Sequence, residues 1–568
     1  MGAELIFRNV RIVDGTGAPG YDGDVTVLGE RIVRVTRRAP DGGRTAEKVG
    51  TDSPAGAGPG GGRVIEGGGR ALAPGFIDIH SHADLIFPLP EPARRRLLAG
   101  RIAQGITTEI VGNCGMGAAP LGEGAEPALR AINAWLTPET IPWPWSGVGG
   151  YLDHLERQGV PLNVGTLAPH GPLRIAVLGL RAGAPDGRAM KSMLDELRRA
   201  LEEGAFGVST GLIYPPGIYS DTGECVKLAG VAARFDALYT SHIRGSSELL
   251  LPSVEELIEV GRRSGARVHH SHNEAVGRRH WPKVEAVLER EDAARAQGIR
   301  LTHDMFPYPA AATTMLALFP PWSLEGGVPA LLERLRDPGE RRRVRDAVEG
   351  QAPRWPPWEP GGWPHNLSLA VGWDRITIGS VASNQRRDLE GITLAELGRR
   401  GGAPPFEVLC DLLLAEGGSV SQIIHDVTGD GAHERGLEAI LAHPAGALCT
   451  DANDYGRGKP HPAAYGAFPR VLGRYVRERR CLGLEEAIRK MTAYPAALLG
   501  LKDRGVVREG ARADLVLFDP GRVADRATFE EPRQAPSGID MVVINGRVAA
   551  EGGSANGAPA GNVLRRGA

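Results

Sequence analysis

Histidine, cysteine and aspartate residues stand at the ends of five separate apolar, strand-like runs of this chain. Imidazole and thiolate are the ligands that zinc and related divalent metals prefer. Any one of these residues alone is more often a buried, hydrogen-bonded side chain, but several at neighbouring strand ends indicate a single metal site. The six candidates are His80, His82, Cys114, His242, His272 and Asp451.

The pair His80 and His82 is the strongest of these features. It closes the apolar run 73–82, and Asp78 and Asp84 lie beside it. In a strand, residues i and i+2 face the same side, so we expect both imidazoles to reach one ion.

Alternating helix-like and strand-like segments fill the middle of the chain and predict how the candidates are positioned. Residues 253–264 show a helical apolar stripe, with Ser253 as the N-cap and Glu256 at the capping-box position, and the strand-like run 266–272 follows. Residues 188–210 repeat the same helix-to-strand unit. Such repeats imply a parallel sheet, and over about 430 residues a (β/α)8 TIM-like barrel is the most economical solution. Strand C-terminal ends then carry the chemistry.

Short β-like runs occur at both ends of the chain, and chain termini often lie close together. The fold class is therefore expected to be α/β, with a barrel over 73–504 and a small β-sandwich domain built from 1–72 plus 505–568. The segment 41–63 is rich in Gly, Pro, Ser and Ala and is expected to be a mobile loop. An insertion around 310–400 is expected to form a lid over the barrel mouth.

The composition excludes several classes of protein. Lys and Arg total 66 and Asp and Glu total 68, which gives a net charge of −2 and argues against nucleic-acid binding. At 42% hydrophobic and 24% charged residues the chain is typical of a globular protein. Five scattered cysteines do not indicate a disulfide framework, and no apolar stretch predicts a membrane span or a secretory signal. We expect a cytoplasmic protein without a membrane partner; homo-oligomerisation is left open.

Several stretches together resemble the amidohydrolase superfamily, and within it the D-aminoacylase (N-acyl-D-amino-acid deacylase) branch. They cover nearly the whole chain and lie at 74–82, 111–115, 209–217, 240–242, 271–272, 468–475, 513–520 and 562–566. The run Val-Gly-Asn-Cys-Gly at 111–115 is the most specific, because most of the superfamily uses a carboxylated Lys or a Glu as the bridging ligand.

The resemblance implies zinc-dependent hydrolysis of a linear N-acyl amide by metal-activated water. It implies a tight zinc site of Cys114, His242 and His272, and a second, weaker position formed by His80 and His82 with Asp451. Asp451 is then the general base and afterwards the general acid. His269 and His270, which neighbour a ligand, are expected to be supporting residues.

The substrate-binding residues depart from the pattern of that branch, in which a Lys, a Tyr and an Arg grip the substrate α-carboxylate. The Lys position is Glu274 and the Arg position is Ala463, whereas the Tyr matches Tyr308. His461, in the same loop as Ala463, is a further candidate for substrate contact.

Losing two cationic contacts, each worth about 1.5–3 kcal/mol, disfavours a free carboxylate. We therefore expect a small-molecule substrate that is a neutral or cationic amide or carbamate. One alternative is a true N-acyl-D-amino-acid deacylase whose carboxylate is bound by another cation, such as Lys459, Arg457 or Arg244. Another is a hydrolase of cyclic amides or imides or a deaminase, which the cysteine ligand disfavours. A non-enzymatic scaffold is disfavoured because every ligand position is filled.

Overall fold

The structure, a computed structural model, describes residues 4–38, 62–137, 141–452 and 454–567. Its strands are β1 (Glu4–Ile12), β2 (Tyr21–Leu28), β3 (Arg31–Arg37), β4 (Arg63–Glu66), β5 (Ala71–Pro74), β6 (Phe76–Asp78), β7 (Ile106–Val111), β8 (Asn163–Thr166), β9 (Ala168–Pro169), β10 (Gly207–Gly211), β11 (Leu238–His242), β12 (Arg267–His270), β13 (Leu301–Met305), β14 (Ala310–Thr314), β15 (Ile376–Ser380), β16 (Ser421–His425), β17 (Gly446–Leu448), β18 (Leu515–Phe518), β19 (Ile539–Ile544), β20 (Arg547–Glu551) and β21 (Ser554–Ala555).

The helices are α1 (Glu91–Ala103), α2 (Glu126–Ile132), α3 (Val148–Gln158), α4 (His170–Leu178), α5 (Gly187–Glu202), α6 (Thr222–Arg234), α7 (Leu250–Ser264), α8 (Lys283–Ala296), α9 (Gly327–Arg336), α10 (Pro338–Gly350), α11 (Leu367–Val371), α12 (Leu394–Gly401), α13 (Pro405–Ala415), α14 (Arg435–Ala442), α15 (Ala463–Arg470), α16 (Leu484–Met491) and α17 (Ala493–Leu499). A π-helical segment, Val471–Glu478, continues α15. The predicted α/β class is confirmed.

The central strands are parallel and follow one another in chain order. β6, β7 and β8 form one sheet, and β9, β10, β11, β12, β13 and β17 form a second sheet in that order. Only Leu167 separates β8 from β9, so one segment belongs to both sheets. After β17, the backbone N–H of Asp451 donates to the carbonyl of His80, after β6, at 3.0 Å. The last of eight strand positions therefore contacts the first.

Helix-to-strand units occur where the sequence pattern predicts them, but their boundaries shift. α5 begins at Gly187, where the Asp186 side chain accepts a hydrogen bond from the Ala189 N–H at 2.8 Å. The predicted cap at Ser253 is wrong, because α7 begins at Leu250 and the Ser253 hydroxyl lies inside the helix. There it donates to a backbone carbonyl of the preceding turn at 2.7 Å.

Glu256, which the sequence placed in a capping box, forms a contact with another element instead. The Glu256 carboxylate accepts a hydrogen bond at 2.7 Å from the buried guanidinium of Arg244, which follows β11. A contact between two elements thus overrides a local capping pattern.

Strands from both chain ends combine in one nine-stranded sheet, in the order β21-β20-β19-β18-β5-β1-β2-β3 with β4 beside β1. β5 pairs antiparallel with β18 and parallel with β1, which joins the two ends of the chain. This sheet has an apolar cluster of its own, which includes Phe7, Ile12 and Leu515. The segment expected to be a mobile loop lies outside the described residues as far as residue 61, and Arg63 begins β4.

An insertion between β13 and β17 contributes a second small sheet. Its strands β14, β16 and β15 are antiparallel and lie in that order. Residues 311–313 and 421–424 of this sheet line the large cavity described below. Over the described part of the chain, no helix is long and apolar enough to cross a membrane.

Candidate metal centre and active site

Six side chains that could ligate a metal ion, from five strand ends, lie together in the interior. The sulfur of Cys114 and one ring nitrogen each of His242 and His272 lie within 4.8 Å of one another. A second group, with the same spacing, joins Cys114 to His80, His82 and Asp451. The structure therefore brings together all six residues that the sequence singles out.

Cys114 belongs to both groups and lies between them. Its Sγ lies 3.2 Å from Nε2 of His80 and 3.5 Å from Nε2 of His272. Oδ1 of Asp451 lies 3.2 Å from Nε2 of both His80 and His82. A thiolate between two imidazole groups can bridge two adjacent metal positions.

The backbone at these positions is unusual. Cys114, His272 and Asp451 have φ values of 51°, 37° and 46°, in the left-handed region that residues other than glycine rarely adopt. Each of the three lies just beyond the end of its strand. This conformation costs about 1–3 kcal/mol per residue, and such strain concentrates at functional sites.

His80 and His82 converge for a different reason from the one that the sequence predicts. β6 ends at Asp78, so the two histidines lie in the loop that follows it rather than on one face of a strand. The Asp78 carboxylate remains below them, where it pairs with the guanidinium of Arg101 and accepts from the Thr450 hydroxyl at 2.6 Å.

The donor set fits a zinc-type metal ion. Both ring nitrogens of His242 and Nδ1 of His272 are buried and have no hydrogen-bond partner among the described residues. Burial opposes ionisation of the Cys114 thiol, but the adjacent His80, together with His242 and His272, outweighs it and holds the pKa of Cys114 well below its ordinary value. A thiolate with imidazole nitrogens that lack partners is a typical zinc-binding arrangement.

Asp304, at the end of β13, was not among the predicted site residues. Its carboxylate accepts a hydrogen bond from Nδ1 of His80 at 3.1 Å and from Nε2 of His269 at 2.9 Å. It also accepts from the backbone N–H of His272 at 2.5 Å. Its place at a strand end was the only sequence signal. By fixing the orientation of His80, it leaves Nε2 of that ring free to face the cluster.

His269 and His270 support the site rather than enter it. The ring of His269 lies between Asp304 and the Thr302 hydroxyl, which is 2.8 Å from Nδ1. Nδ1 of His270 lies 2.8 Å from the buried Glu291 carboxylate.

Asp451 is held in its ionised form at the centre of the cluster. Burial raises the pKa of this carboxyl, but the adjacent His80 and His82 imidazoles outweigh that effect and lower the pKa below its ordinary value. An ionised carboxylate at 3.2 Å from two metal-ligating nitrogens can accept a proton from a molecule bound at the cluster.

A cavity opens onto the cluster. Beside the metal-ligating residues, its polar and aromatic lining consists of Trp135, Tyr214, Glu274, Thr313, His365, Ser380, Ser421, Gln422, Tyr455, Arg457, Lys459 and His461.

Tyr308, the tyrosine predicted to contact substrate, does not line this cavity. Its hydroxyl donates to the Asp525 carboxylate at 3.3 Å, and the Arg470 guanidinium lies over its ring. Tyr214 lines the cavity instead, with its ring 5.1 Å from that of His242 and its hydroxyl 2.8 Å from the Thr313 hydroxyl. Tyr214 belongs to the run 209–217 quoted above, which was the signal that could have identified it.

The two positions that depart from the family pattern have different surroundings. Glu274 lines the cavity, with Oε1 at 3.9 Å from Nδ1 of His272, and burial raises the pKa of Glu274 to about 7. Ala463 begins α15, and its carbonyl accepts from the buried Gln104 amide at 3.3 Å. No side chain reaches the cavity from position 463.

Two of the three cations considered as replacements line the cavity. Arg457 and Lys459 follow β17, and both line the cavity. Arg457 donates to the Ala134 carbonyl at 2.8 Å, while its Nε is buried without a partner. Arg244 is not in the lining, because it is buried against Glu256 and Trp358.

The two remaining histidines of the cavity lining differ in whether their ring nitrogens already have hydrogen-bond partners. His461 uses both ring nitrogens, since Nε2 donates to the Ala310 carbonyl at 2.9 Å and Nδ1 accepts from the Ala463 N–H. His365 uses neither nitrogen, and burial with the nearby His242 lowers the pKa of His365 to about 3. The ring of His365 is therefore neutral.

Comparison with known proteins identifies the lineage. Residues 63–304 and 389–550 match the model of the Amidohydrolase family. Over 545 residues the chain is 33% identical to an N-acyl-D-glutamate deacylase of Alcaligenes xylosoxydans xylosoxydans, which covers 96% of this chain and 93% of the relative. A D-aminoacylase of the same organism is 28% identical, over 99% of this chain and 98% of the relative.

A solved structure agrees with these sequence relatives. The N-acyl-D-glutamate deacylase of Bordetella bronchiseptica, complexed with zinc and a phosphonate inhibitor that mimics the tetrahedral intermediate, superposes with a TM-score of 0.76. It is 32% identical, and the match covers 100% of both chains. The chain therefore belongs to the amidohydrolase family, in its D-aminoacylase branch, as a metal-dependent hydrolase of carbon–nitrogen amide bonds other than peptide bonds.

Proposed function

We propose that this protein is a zinc-dependent deacylase of N-acyl amino acids whose substrate carboxylate is bound by Arg457 and Lys459. The observation that carries the substrate class is the pair of cations that line the cavity, of which Arg457 keeps a buried Nε without a partner in the described chain. A partly buried guanidinium with an unpartnered nitrogen is unfavourable unless a ligand pairs with it. A bidentate carboxylate is the natural counter-ion of arginine.

The metal-ligating residues supply the reaction centre. Cys114, His242 and His272 would hold one zinc ion tightly, and His80 and His82 with Asp451 would form a second, weaker position. The chemistry that bound zinc supplies is polarisation of the amide carbonyl and a lowered pKa for water.

The proton transfers are assigned to Asp451. Its ionised carboxylate accepts one proton from the attacking water, whose oxygen adds to the acyl carbon. Asp451 then delivers that proton to the amide nitrogen, and the carbon–nitrogen bond breaks to release a carboxylic acid and an amine. Without protonation, the amine nitrogen is a very poor leaving group.

The relatives support the same substrate class. Their names describe deacylation of N-acyl-D-glutamate and, at 32% identity over the whole of this chain, of N-acyl-D-aspartate. A D-configured N-acyl amino acid is therefore the first substrate to test.

The decisive experiment compares N-acetyl-D-leucine with its carboxamide, in which the carboxylate is capped. Zinc-loaded protein should hydrolyse the free acid with the higher kcat/KM, by roughly 10-fold or more, since a charged hydrogen bond contributes about 1.5–3 kcal/mol. Preference for the carboxamide would overturn carboxylate binding by Arg457 and Lys459. A parallel panel of carbamates and cyclic imides tests the other amide classes.

A neutral or cationic amide or carbamate is the second candidate substrate. It is favoured by Glu274, an acidic side chain that lines the cavity near His272. Faster hydrolysis of the carboxamide than of the free acid in the same assay would select it.

We further infer that the eight parallel strand positions form a (β/α)8 barrel. The hydrogen bond from Asp451 to His80 supports its closure. The nine-stranded sheet would be the small β-sandwich domain.

A further inference from the structure

We infer that Glu274 and His365 form a second polar subsite in the cavity, which binds a hydrogen-bond-donating side chain on the substrate amino acid. The inference rests on the proposed deacylase function. It adds a side-chain specificity that neither the metal cluster nor the carboxylate-binding cations determine.

His365 is built as a ligand-facing residue. It lines the cavity, its side chain is only 4% exposed, and neither Nδ1 nor Nε2 has a partner among the residues described. A neutral imidazole carries one donor and one acceptor, and burial of both without partners is costly. The native structure tolerates such a pair of orphaned atoms most readily where a ligand satisfies them.

Glu274 shows the same property independently. The residue lines the cavity at 7% exposure, and Oε2 is buried without a hydrogen-bond partner in the described chain. Oε1 lies 3.9 Å from Nδ1 of His272, so one carboxylate oxygen faces the metal-ligating ring. The other oxygen is available to accept a hydrogen bond.

Glu274 lies just beyond a strand end, and His365 lies in the insertion, in a loop that packs beside the neighbouring strand end. Glu274 follows β12, whereas the carbonyl of Pro364, the residue before His365, lies against Gly245, just after β11. Arg457 and Lys459 follow β17, which is separated from β12 by β13. The cavity therefore has a cationic side after β17 and an acidic, hydrogen-bond-accepting side after β11 and β12.

The chemistry of this second side selects its ligand. A carboxylate oxygen accepts only, and a neutral imidazole can accept at one nitrogen, so the matching group is a donor: an amide NH2, a hydroxyl or an ammonium. A substrate side chain that is itself a carboxylate brings no hydrogen to donate, so the acceptor atoms of this side would stay unpaired. We therefore assign N-acyl amino acids with neutral or cationic donor side chains as the preferred substrates.

The test uses two ligands of the same shape, N-acetyl-D-glutamine and N-acetyl-D-glutamate, with N-acetyl-D-lysine as a cationic third. Their dissociation constants are measured by calorimetry on zinc-loaded Asp451→Asn protein, so that binding is read without turnover. N-acetyl-D-glutamine and N-acetyl-D-lysine should bind roughly 10-fold or more tightly than N-acetyl-D-glutamate. Adding Glu274→Gln should remove most of that preference.

Two further variants in the same background complete the experiment. His365→Ala should weaken N-acetyl-D-glutamine binding by about 5- to 10-fold, as expected for one lost hydrogen bond. His433→Ala removes an exposed histidine that pairs with Asp430 and should leave every constant unchanged. Equal affinities for the three ligands, no measurable binding, or indifference to both subsite substitutions would overturn the subsite.

Hydrolysis by the wild-type protein separates this result from the proposed function. Turnover of N-acetyl-D-leucine without side-chain preference in the binding assay would leave the deacylase function standing and remove the subsite. Selective binding without any turnover by zinc-loaded protein would retain the subsite and reject the deacylase.

Discussion

The cavity has two walls, and they are built in different ways. The metal wall consists of side chains at or just beyond the ends of paired strands, and backbone hydrogen bonds across the sheet hold those strand ends in place. The substrate wall is formed by loops and by the insertion between β13 and β17, including Glu274, His365 and Arg457.

The two walls also differ in the contacts that hold their side chains and in what their unpaired buried atoms would bind. Asp304 contacts three separate groups of the metal wall, at His80, His269 and His272. On the substrate wall, Glu274 and His365 retain buried atoms that lack partners in the described chain. The metal wall also has buried ring nitrogens without partners in the described chain, at His242 and His272, but a metal ion would occupy those, whereas a substrate would pair with the free atoms of the substrate wall. Substitutions should therefore change catalysis on one wall and selectivity on the other.

The largest effect is expected from Cys114→Ser, which removes the ligand shared by both metal groups. A hydroxyl is a poor zinc ligand beside a thiolate, so the tight metal should be lost and activity should fall to background. Metal content by mass spectrometry and kcat on N-acetyl-D-leucine measure both effects. Cys481→Ser, which replaces a cysteine outside the cavity, is the control. Full metal occupancy in Cys114→Ser would contradict the assigned role.

Asp451→Asn should leave metal binding largely intact and lower kcat by roughly 10²- to 10⁴-fold, the usual contribution of a general acid–base group. The amide cannot accept the proton from water. An unchanged kcat with full zinc occupancy would show that another residue carries out the proton transfers.

The sequence predicted the metal wall because ligand chemistry and strand ends are both visible in local patterns. His242 and His272 end apolar runs, and parallel strands place their carboxyl ends at one edge. Even there the local argument for His80 and His82 failed, because β6 stops at Asp78 and the loop after it places both rings.

The substrate wall could be predicted only in part, because tertiary placement decides which loop residues reach the cavity. Glu274 could be identified by its spacing from His272. Tyr308 carried the expected residue type but packs against Asp525, and Tyr214 lies in the cavity. Nothing in the local sequence around His365 distinguishes it from an ordinary loop histidine.

Asp304→Asn tests whether zinc affinity depends on the contacts that orient the histidines of the metal wall. The amide weakens the contacts to His80 and His269, and such supporting residues typically contribute 10- to 100-fold in metal affinity or activity. Zinc affinity by competition with a chelator is the measurement. Asp292→Asn, which alters an exposed carboxylate paired with Arg295, should have no effect. An unchanged zinc affinity would show that His80 is held without Asp304.

Arg457→Ala should change selectivity without changing the metal wall. We expect kcat/KM for N-acetyl-D-leucine to fall by about 10-fold, while its carboxamide is hardly affected, because the lost contact is to the carboxylate. Arg387→Ala, at an exposed arginine outside the cavity lining, is the matched control. An equal loss of kcat/KM for both substrates would show that Arg457 supports the structure of the site and does not bind the carboxylate.

The smallest effect is expected from Tyr308→Phe. This substitution tests whether the tyrosine that the sequence predicted contacts the substrate, although it does not line the cavity. The Tyr308 hydroxyl donates to Asp525, so its removal should lower the free energy of unfolding by about 1 kcal/mol, the net value of one hydrogen bond. KM and kcat should not change, since this side chain does not line the cavity. Tyr214→Phe, which removes a hydroxyl bonded to Thr313 in the cavity wall, should lower stability by a similar amount and in addition raise KM. A higher KM in Tyr308→Phe, with KM unchanged in Tyr214→Phe, would show that Tyr308 contacts the substrate, as the sequence predicted, and that Tyr214 does not.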